Sequence, residues 1–388
     1  GNWKRIPGYR PQSPVLDTMR VARFNAQNND DPWYMRLSFL NSDFSRQCED
    51  GKLELAPDAP PLHYGFWAAP EPEKDEKGEP VPLPEKLAIL LPGIGGNYFG
   101  MTSTALAELL YCHGYAVLSL DSPFAWQFML AVGNRRLPGF LPDDAAEIRA
   151  VLPRILENLK KDGLIRDPQL VMLGYSMGAL EALRISELEQ KEDTLNIRRY
   201  LAINPPVELA NAIERADALS QAGSGWSGAE AIDQLSDVVG KGLSVLARTA
   251  PPYEPADAGK PGFDYRLPVS PEQADYVAAL YFRTCLRNLL LLAHKERALP
   301  QFQNEYRWGT RNSLYHEIDK VGFREYAEKF LAPEHPELPL AELYRLSGMR
   351  SFGESLKNNP KVRVIHSCDD FLLTEADRKW LDATFGKR

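Results

Sequence analysis

The chain has 388 residues, of which 44% are hydrophobic and 25% are charged, and its formal net charge is −8 at pH 7. These proportions are those of a packed globular protein and exclude a disordered, fibrous or disulfide-scaffold chain. The acidic balance also argues against nucleic acid as a partner, because a phosphate-binding surface needs an excess of Lys and Arg. At about 150 residues per domain, the length predicts two domains or one large domain with an insertion.

The sequence predicts no transmembrane segment. Its longest strongly apolar run, Leu289–Ala293, is far shorter than the roughly 20 residues that cross a bilayer. Because the sequence begins at Gly1 rather than Met, we expect that a segment was removed upstream. The compartment stays open between the cytoplasm and the cell envelope or exterior, and the oligomeric state is open as well.

The cysteines suggest neither a disulfide framework nor a metal site. Their spacing contains no Cys-x-x-Cys, and the four of them are Cys48, Cys112, Cys285 and Cys368. We expect buried or unreactive thiols, since free cysteine is among the most buried residue types. The sequence also lacks His-Glu-x-x-His and any Cys/His cluster at ligand spacing, so we predict no metal and no cofactor.

Strand and helix patterns alternate along the first half of the chain. Continuous apolar runs of strand length cover 62–67, 87–91, 115–120, 170–173 and 200–203. Helical spacing of apolar residues covers 104–113, 142–159 and 179–188. This alternation is typical of an α/β fold with a mostly parallel sheet flanked by helices.

The alternation breaks between 206 and 360, where the patterns are helical and the connections rich in Pro and Gly. Ser270-Pro271-Glu272-Gln273 predicts the start of one long helix, because it combines an N-cap, a first-turn Pro and a capping-box Gln. A strand pattern returns at 362–365, and a helix follows to Phe385. We therefore predict an N-terminal extension with the first strands (1–85), a core (86–205 and 361–388) and a helical lid insertion (206–360).

One motif predicts chemistry. Gly174-Tyr175-Ser176-Met177-Gly178 stands between a predicted strand and a predicted helix, as a nucleophile elbow requires. A serine on such a tight turn projects its hydroxyl above the sheet, and the flanking glycines let neighbouring backbone pass. An oxyanion formed there meets backbone N–H groups at the helix N-terminus. The alternative is a glycine-rich turn without a reactive serine.

With this motif the sequence resembles the α/β-hydrolase family of serine hydrolases, over roughly Leu87 to Phe385. The family places an oxyanion donor in a His-Gly-x-Gly-like turn after an earlier strand, and Pro92-Gly93-Ile94-Gly95-Gly96 matches that place with Pro92 instead of His. The resemblance implies that the backbone N–H groups of Ile94 and Met177 form the oxyanion hole. A dinucleotide-binding loop is the rival interpretation, but Tyr98 stands where its closing Gly is required.

The segment from His366 to Thr374 resembles the family's acid turn, and Asp370 aligns best as the catalytic acid. Asp369 is the adjacent alternative. The acid accepts a hydrogen bond from the base imidazole and fixes its tautomer. The competing position, Asn204-Pro205, has no carboxylate. A further alternative is that both aspartates are exposed turn residues, since Asp is common in turns.

The catalytic base is missing from the expected place. In this fold the order is Ser, acid, His, yet all six histidines precede Asp370: His63, His113, His294, His316, His335 and His366. Three explanations compete. The sequence ends before a final strand and its histidine, a histidine of the insertion such as His294 or His316 substitutes, or the chain is a pseudoenzyme. We favour the first explanation, because a helix ending at Gly386 leaves the sheet short of the final strand that the family usually has. His366 resembles a strand-end position that is not catalytic in the family.

The sequence therefore predicts a serine hydrolase of carboxylesterase, lipase or thioesterase type. Ser176 attacks the ester, thioester or amide carbonyl of a small-molecule acyl substrate, and an acyl-enzyme forms. The alternatives are a non-catalytic α/β-hydrolase-like binding protein that lacks the base, or an acyltransferase or peptidase of the same fold. The run Leu289–Leu292 either lines an acyl pocket or packs the lid, and apolar helix faces usually serve the second purpose.

Overall fold

The structure is a computed structural model that describes residues 10–19, 43–70, 85–132, 136–248 and 266–386. Of the predicted N-terminal extension, residues 1–9, 20–42 and 71–84 lie outside the described residues, as do 387–388 of the predicted core. Residues 133–135 and 249–265 also lie outside them. The division of the chain at 85, 205 and 360 stays a prediction.

One sheet forms the centre of the described structure. Its seven strands are β1 (Glu49–Leu53), β2 (Leu62–Trp67), β3 (Lys86–Leu91), β4 (Ala116–Leu120), β5 (Gln169–Tyr175), β6 (Arg199–Ile203) and β7 (Val362–Ile365), in the order β1-β2-β4-β3-β5-β6-β7. The pairs β1–β2 and β2–β4 are antiparallel, and the four pairs from β4 to β7 are parallel. The predicted α/β fold with a mostly parallel sheet is confirmed.

Helices flank and extend this sheet. Within the described residues they are α1 (Pro14–Met19), α2 (Asp43–Arg46), α3 (Met101–Tyr111), α4 (Trp126–Ala131), α5 (Leu141–Lys161), α6 (Met177–Lys191), α7 (Leu209–Ser220), α8 (Gly228–Arg248), α9 (Pro271–Arg297), α10 (Arg311–Ile318), α11 (Phe323–Tyr326), α12 (Leu340–Ser347), α13 (Gly353–Leu356) and α14 (Glu375–Phe385). The predicted helix start at Ser270 carries a full capping box with Gln273, and α14 starts with a second one, formed by Thr374 and Asp377.

The parallel strands bring their carboxyl ends to one edge of the sheet. Tyr175 pairs with Ile203, and Ile203 pairs with Ile365, so β5, β6 and β7 end level with one another. The residues that follow them, Ser176 and Asn204 among them, therefore stand side by side. This is the edge at which open α/β sheets place their ligands.

The main apolar core lies between the sheet and the helices α5 and α6. Leu87 to Leu91 of β3 are fully buried, as expected for a central strand covered on both faces. Ile148, Leu152 and Ile155 of α5 bury one helical stripe in the same cluster. Helix α5 continues through Pro153.

Between β6 and β7 the described residues form helices and no strand, from α7 to α13. Leu289 and Leu290 of α9 are fully buried in a second apolar cluster, together with Phe124 and Phe330. The leucine run therefore packs the insertion, in agreement with the second interpretation of its sequence.

Helix α9 has 27 residues and is long and apolar enough to cross a membrane by length and composition, a property that its short leucine run does not predict. The core helix of a soluble protein passes the same test. Here α9 packs against α7, α10, α4 and α1.

The N-terminal residues lie on the insertion rather than beside the first strands. Leu16 of α1 is buried with Val269 and Ala274. The side-chain amide of Gln12 donates to the carbonyl of Leu267 at 3.0 Å, and its oxygen accepts the Leu267 N–H at 2.8 Å. Residues far apart in the chain thus share one small core.

Candidate active site

Ser176 occupies a sharp turn between β5 and α6. Its backbone has φ 54° and ψ −123°, a conformation that costs a non-glycine residue about 1–3 kcal/mol and persists only where the surroundings impose it. The Ser176 N–H donates to the carbonyl of Ile203 on the neighbouring strand at 2.9 Å. The turn therefore places the serine side chain above the carboxyl edge of the sheet.

Two glycines of this turn have no room for a side chain, and a third, on the loop after β3, has little. A Cβ on Gly174 would lie 2.1 Å from the Gly178 carbonyl oxygen, and one on Gly178 would lie 2.3 Å from that of Leu91. A Cβ on Gly93 would stand 3.1 Å from Ser176 Cβ and 3.5 Å from its Oγ. The loop after β3 thus lies directly against the serine.

The two predicted oxyanion donors belong to the segments that meet at Ser176. Ile94 follows Gly93 on the loop after β3, and Met177 is the first residue of α6. In the described part of the chain neither backbone N–H donates a hydrogen bond to another protein group. The Gly93 carbonyl accepts the Gly96 N–H at 2.9 Å, which fixes the peptide that carries the Ile94 N–H.

The residues directly after β4 anchor the far end of this loop. The buried Asp121 carboxylate accepts the Tyr98 N–H at 2.8 Å, and the Ser122 N–H donates to the Gly96 carbonyl at 2.9 Å. Burial raises the pKa of Asp121 to about 6, against the lowering effects of the Tyr98 N–H and of His63.

Tyr175 supports the loop from the elbow itself. Its hydroxyl lies beside the Gly93 backbone and 3.3 Å from Ser103 Oγ. Burial raises the pKa of Tyr175, so the phenol stays neutral. The residue before the serine therefore packs under the loop that carries Ile94.

Asp370 lies in the turn after β7, two strands from the elbow. One of its carboxylate oxygens accepts the Leu372 N–H at 2.8 Å. Burial raises its pKa, whereas the Leu372 N–H and the nearby His366 lower it. Asp369, the alternative acid, is half-buried beside it and raises the pKa of Asp370. The structure thus places both aspartates at the carboxyl edge that carries Ser176.

Asn204 joins the end of β6 to the turn that carries Asp370, a contact that the sequence does not predict. It follows β6 with φ 49°, and its N–H donates to the Ile365 carbonyl at 2.7 Å. Its side-chain oxygen accepts the Ser367 N–H at 2.8 Å. An Asn tolerates this left-handed conformation better than most residues, and a strand followed by Asn-Pro is the signal that marks it.

The histidines named by the sequence are not hydrogen-bonded to Ser176 within the described residues. His63 bonds Asp50 at 2.9 Å, His113 bonds the Leu109 carbonyl and His294 bonds that of Asn304. The His335 ring packs against Phe140 at an interplanar angle of 51°, and His316 is exposed on α10. His366 has a side chain only 9% exposed and lies 3.6 Å from Asp382. The structure brings together Ser176, Met177 and Ile94 but assigns no base to them.

Among the described residues, no group of three or more His, Cys, Asp or Glu side chains is arranged to hold a metal ion. The four cysteines are free. Burial raises the pKa of Cys48 to about 12 and that of Cys285 to about 11. Both thiols are therefore protonated near neutral pH.

Comparison with known proteins identifies the class. The model of the alpha/beta hydrolase family matches residues 88–385, which is well over half of the chain. The chain therefore belongs to the α/β-hydrolase family. No match is found among curated protein sequences.

Solved structures show likeness at low sequence identity. The thioesterase domain from the curacin biosynthetic pathway is 14% identical, with a TM-score of 0.36, over 87% of this chain and 90% of that one. A probable hydrolytic enzyme from Pseudomonas aeruginosa PAO1 is 16% identical, with a TM-score of 0.32, over 83% and 87%. Est1E from Butyrivibrio proteoclasticus is 19% identical, with a TM-score of 0.28, over 45% of this chain and 55% of Est1E. The match thus spans about half the length of Est1E, and no substrate follows from these likenesses.

Proposed function

We propose that the protein is a serine hydrolase in which Ser176 attacks the carbonyl carbon of an ester, thioester or amide. The observation that carries the proposal is the turn at Ser176, with φ 54°, where the backbone N–H groups of Ile94 and Met177 donate to no protein group within the described residues. Backbone donors of this kind stabilise an oxyanion in acyl transfer. The acyl group passes to Ser176 Oγ, and water then releases it as an acid.

The proton of Ser176 Oγ goes to a histidine base that Asp370 orients, and the leaving group takes this proton when it departs. The partial burial of Asp370 supports this assignment, as does its place two strands from the elbow on the same edge. That a further strand and its histidine follow α14 stays a prediction. In the described sheet β7 is the last strand, and such a strand would pair beside it.

The insertion between β6 and β7 acts as the lid in this proposal. Its helix α9 reaches the loop after β3, where the Tyr281 hydroxyl donates to the Ile94 carbonyl at 2.8 Å. A helical layer in contact with the oxyanion loop can shield the acyl-enzyme from bulk water.

A fluorophosphonate probe tests the nucleophile, because it phosphonylates only an activated serine. The experiment uses the full gene product, with any residues that its gene encodes beyond Arg388. We expect labelling of wild type and of Ser224→Ala, a change at an exposed serine of the insertion. We expect none in Ser176→Ala. Labelling that persists in Ser176→Ala, or a folded wild type that is not labelled, contradicts the proposal.

A non-catalytic binding protein is the second candidate, favoured by the lack of a histidine hydrogen-bonded to Ser176 in the described residues. It predicts a folded wild type that neither reacts with the probe nor turns over p-nitrophenyl esters. Acyltransferase and peptidase activity share the acyl-enzyme. They are distinguished by whether an added alcohol, an added amine or water receives the acyl group, and by whether a peptide amide is cleaved.

A further inference from the structure

Tyr281 links the insertion to the loop that carries the predicted oxyanion donor Ile94. Its hydroxyl donates to the Ile94 carbonyl at 2.8 Å, across 187 positions of sequence. Burial of the hydroxyl and the neighbouring Cys285 and Tyr175 side chains raise the pKa of Tyr281. The phenol therefore remains protonated and able to donate near neutral pH.

A second contact, one helical turn further along α9, holds the same loop. Gly95 has φ +65°, and a Cβ built on it would stand 2.3 Å from Cys285 Sγ. The thiol therefore packs directly on the loop backbone, where no larger residue fits. Tyr281 and Cys285 lie four residues apart and so face the same side of α9.

These contacts bear on the orientation of one peptide group. The Ile94 N–H belongs to the peptide between Gly93 and Ile94, whose carbonyl accepts the Gly96 N–H at 2.9 Å. The next peptide, between Ile94 and Gly95, is held at its carbonyl by Tyr281. Since the two peptides share the Ile94 Cα, fixing both restricts φ and ψ of Ile94 and hence the direction of its N–H.

We propose that Tyr281 is a positioning residue of the hydrolase. It holds the Ile94 N–H in the direction that stabilises the oxyanion. Because Tyr281 belongs to the insertion, the position of the insertion then affects the rate of acyl transfer. The inference rests on the proposed function. Tyr281 does not contact the reacting atoms in this account. It acts through the Ile94 backbone, and Cys285 supports it by packing against Gly95.

The test compares Tyr281→Phe with Tyr306→Phe, a matched change at a half-exposed tyrosine elsewhere in the insertion. With p-nitrophenyl butyrate we expect kcat to fall about two- to tenfold in Tyr281→Phe, the worth of one neutral hydrogen bond, with KM little changed. The affinity for an alkyl trifluoromethyl ketone should fall by the same factor, because its hemiketal oxyanion uses the same donors. Tyr306→Phe should match wild type in all three.

Amide hydrogen exchange gives a readout that does not need turnover. We expect faster exchange at residues 93–97 in Tyr281→Phe than in wild type or Tyr306→Phe, at equal thermal stability. Unchanged exchange, or a change in KM alone with ketone affinity kept, overturns the inference while serine labelling still supports the hydrolase. A wild type without serine labelling overturns the hydrolase and this inference together.

Discussion

Gly178 and Leu91 are in backbone contact: a Cβ on Gly178 would stand 2.3 Å from the Leu91 carbonyl oxygen. This close approach packs the first turn of α6 against the end of β3, and it brings the Ser176 elbow and the loop after β3 together. The lack of space at this contact is what requires a glycine at position 178. The backbone conformation does not require one, since the φ of Gly178 is not in the left-handed region.

Gly178→Ala should therefore destabilise the fold. The added methyl group forces α6 away from β3, at a cost of about 1–3 kcal/mol or more for overpacking. Urea unfolding measures the loss. Gly225→Ala is the control, because no atom lies within 4 Å of its added Cβ, and we expect it to change stability by less than about 0.5 kcal/mol. Equal stability of the two variants would show that the contact is not tight.

Glu181, in the second turn of α6, is fully buried, and neither of its carboxylate oxygens has a hydrogen-bond partner among the residues that the structure describes. Burial and the nearby Asp144 raise its pKa well above the ordinary value. The unfolded chain ionises first as pH rises, so wild type loses about 1.4 kcal/mol per pH unit above about 4.3 until the folded-state pKa is reached. Glu181→Gln removes this loss. The variant should gain stability over wild type between pH 5 and 8, and a pH-independent difference would contradict the expected shift.

Asp121→Asn tests a milder case of the same linkage. The pKa of Asp121 is raised by burial from 3.8 to about 6, so wild type loses stability as pH rises from about 4 to about 6 and no further above it. The loss is on the order of 3 kcal/mol. The asparagine side chain keeps an oxygen for the Tyr98 N–H. We expect the free energy of unfolding of the variant, measured in urea, to increase relative to that of wild type over this range. The difference should level off above pH 6.

Glu189 should contribute more stability than its exposed neighbour Glu192. Its side chain is 3% exposed and accepts from Arg149 Nε at 2.5 Å and from the Leu195 N–H at 2.7 Å. Glu189→Ala leaves both donors without this partner and should cost about 2–4 kcal/mol. Glu192→Ala should cost less than about 1 kcal/mol, because the Glu192 side chain is 74% exposed and lies 3.4 Å from Arg149. Thermal unfolding at one pH compares the two, and equal losses would refute the burial argument.

Leu16→Ala tests the docking of the N-terminal residues on the insertion. Leu16 is 1% exposed and packs with Val269 and Ala274, so its truncation should cost about 2–5 kcal/mol. Thr18→Ala changes an exposed residue of the same helix and serves as the control. If both variants unfold at the wild-type temperature, α1 does not pack on the insertion in solution.

The sequence predicts the central strands well because they are buried on both faces and read as continuous apolar runs. The predicted bounds of β2 and β7 coincide with the observed ones, Leu62–Trp67 and Val362–Ile365. It does not predict β1, Glu49–Leu53. That strand lies at the sheet edge, contains three charged residues and a glycine, and has no apolar run to detect.

By itself, the sequence determined the α/β class with its mostly parallel sheet and pointed to the turn at Ser176, since strand runs, helix caps and flanking glycines are local signals. Only the tertiary structure decided that Asn204 bonds Ser367 in the turn after β7, that α1 packs on the insertion, and that Tyr281 bonds the Ile94 carbonyl. Each of these contacts joins residues more than 100 positions apart. Local periodicity does not predict such contacts, because they depend on how the folded chain brings distant segments together.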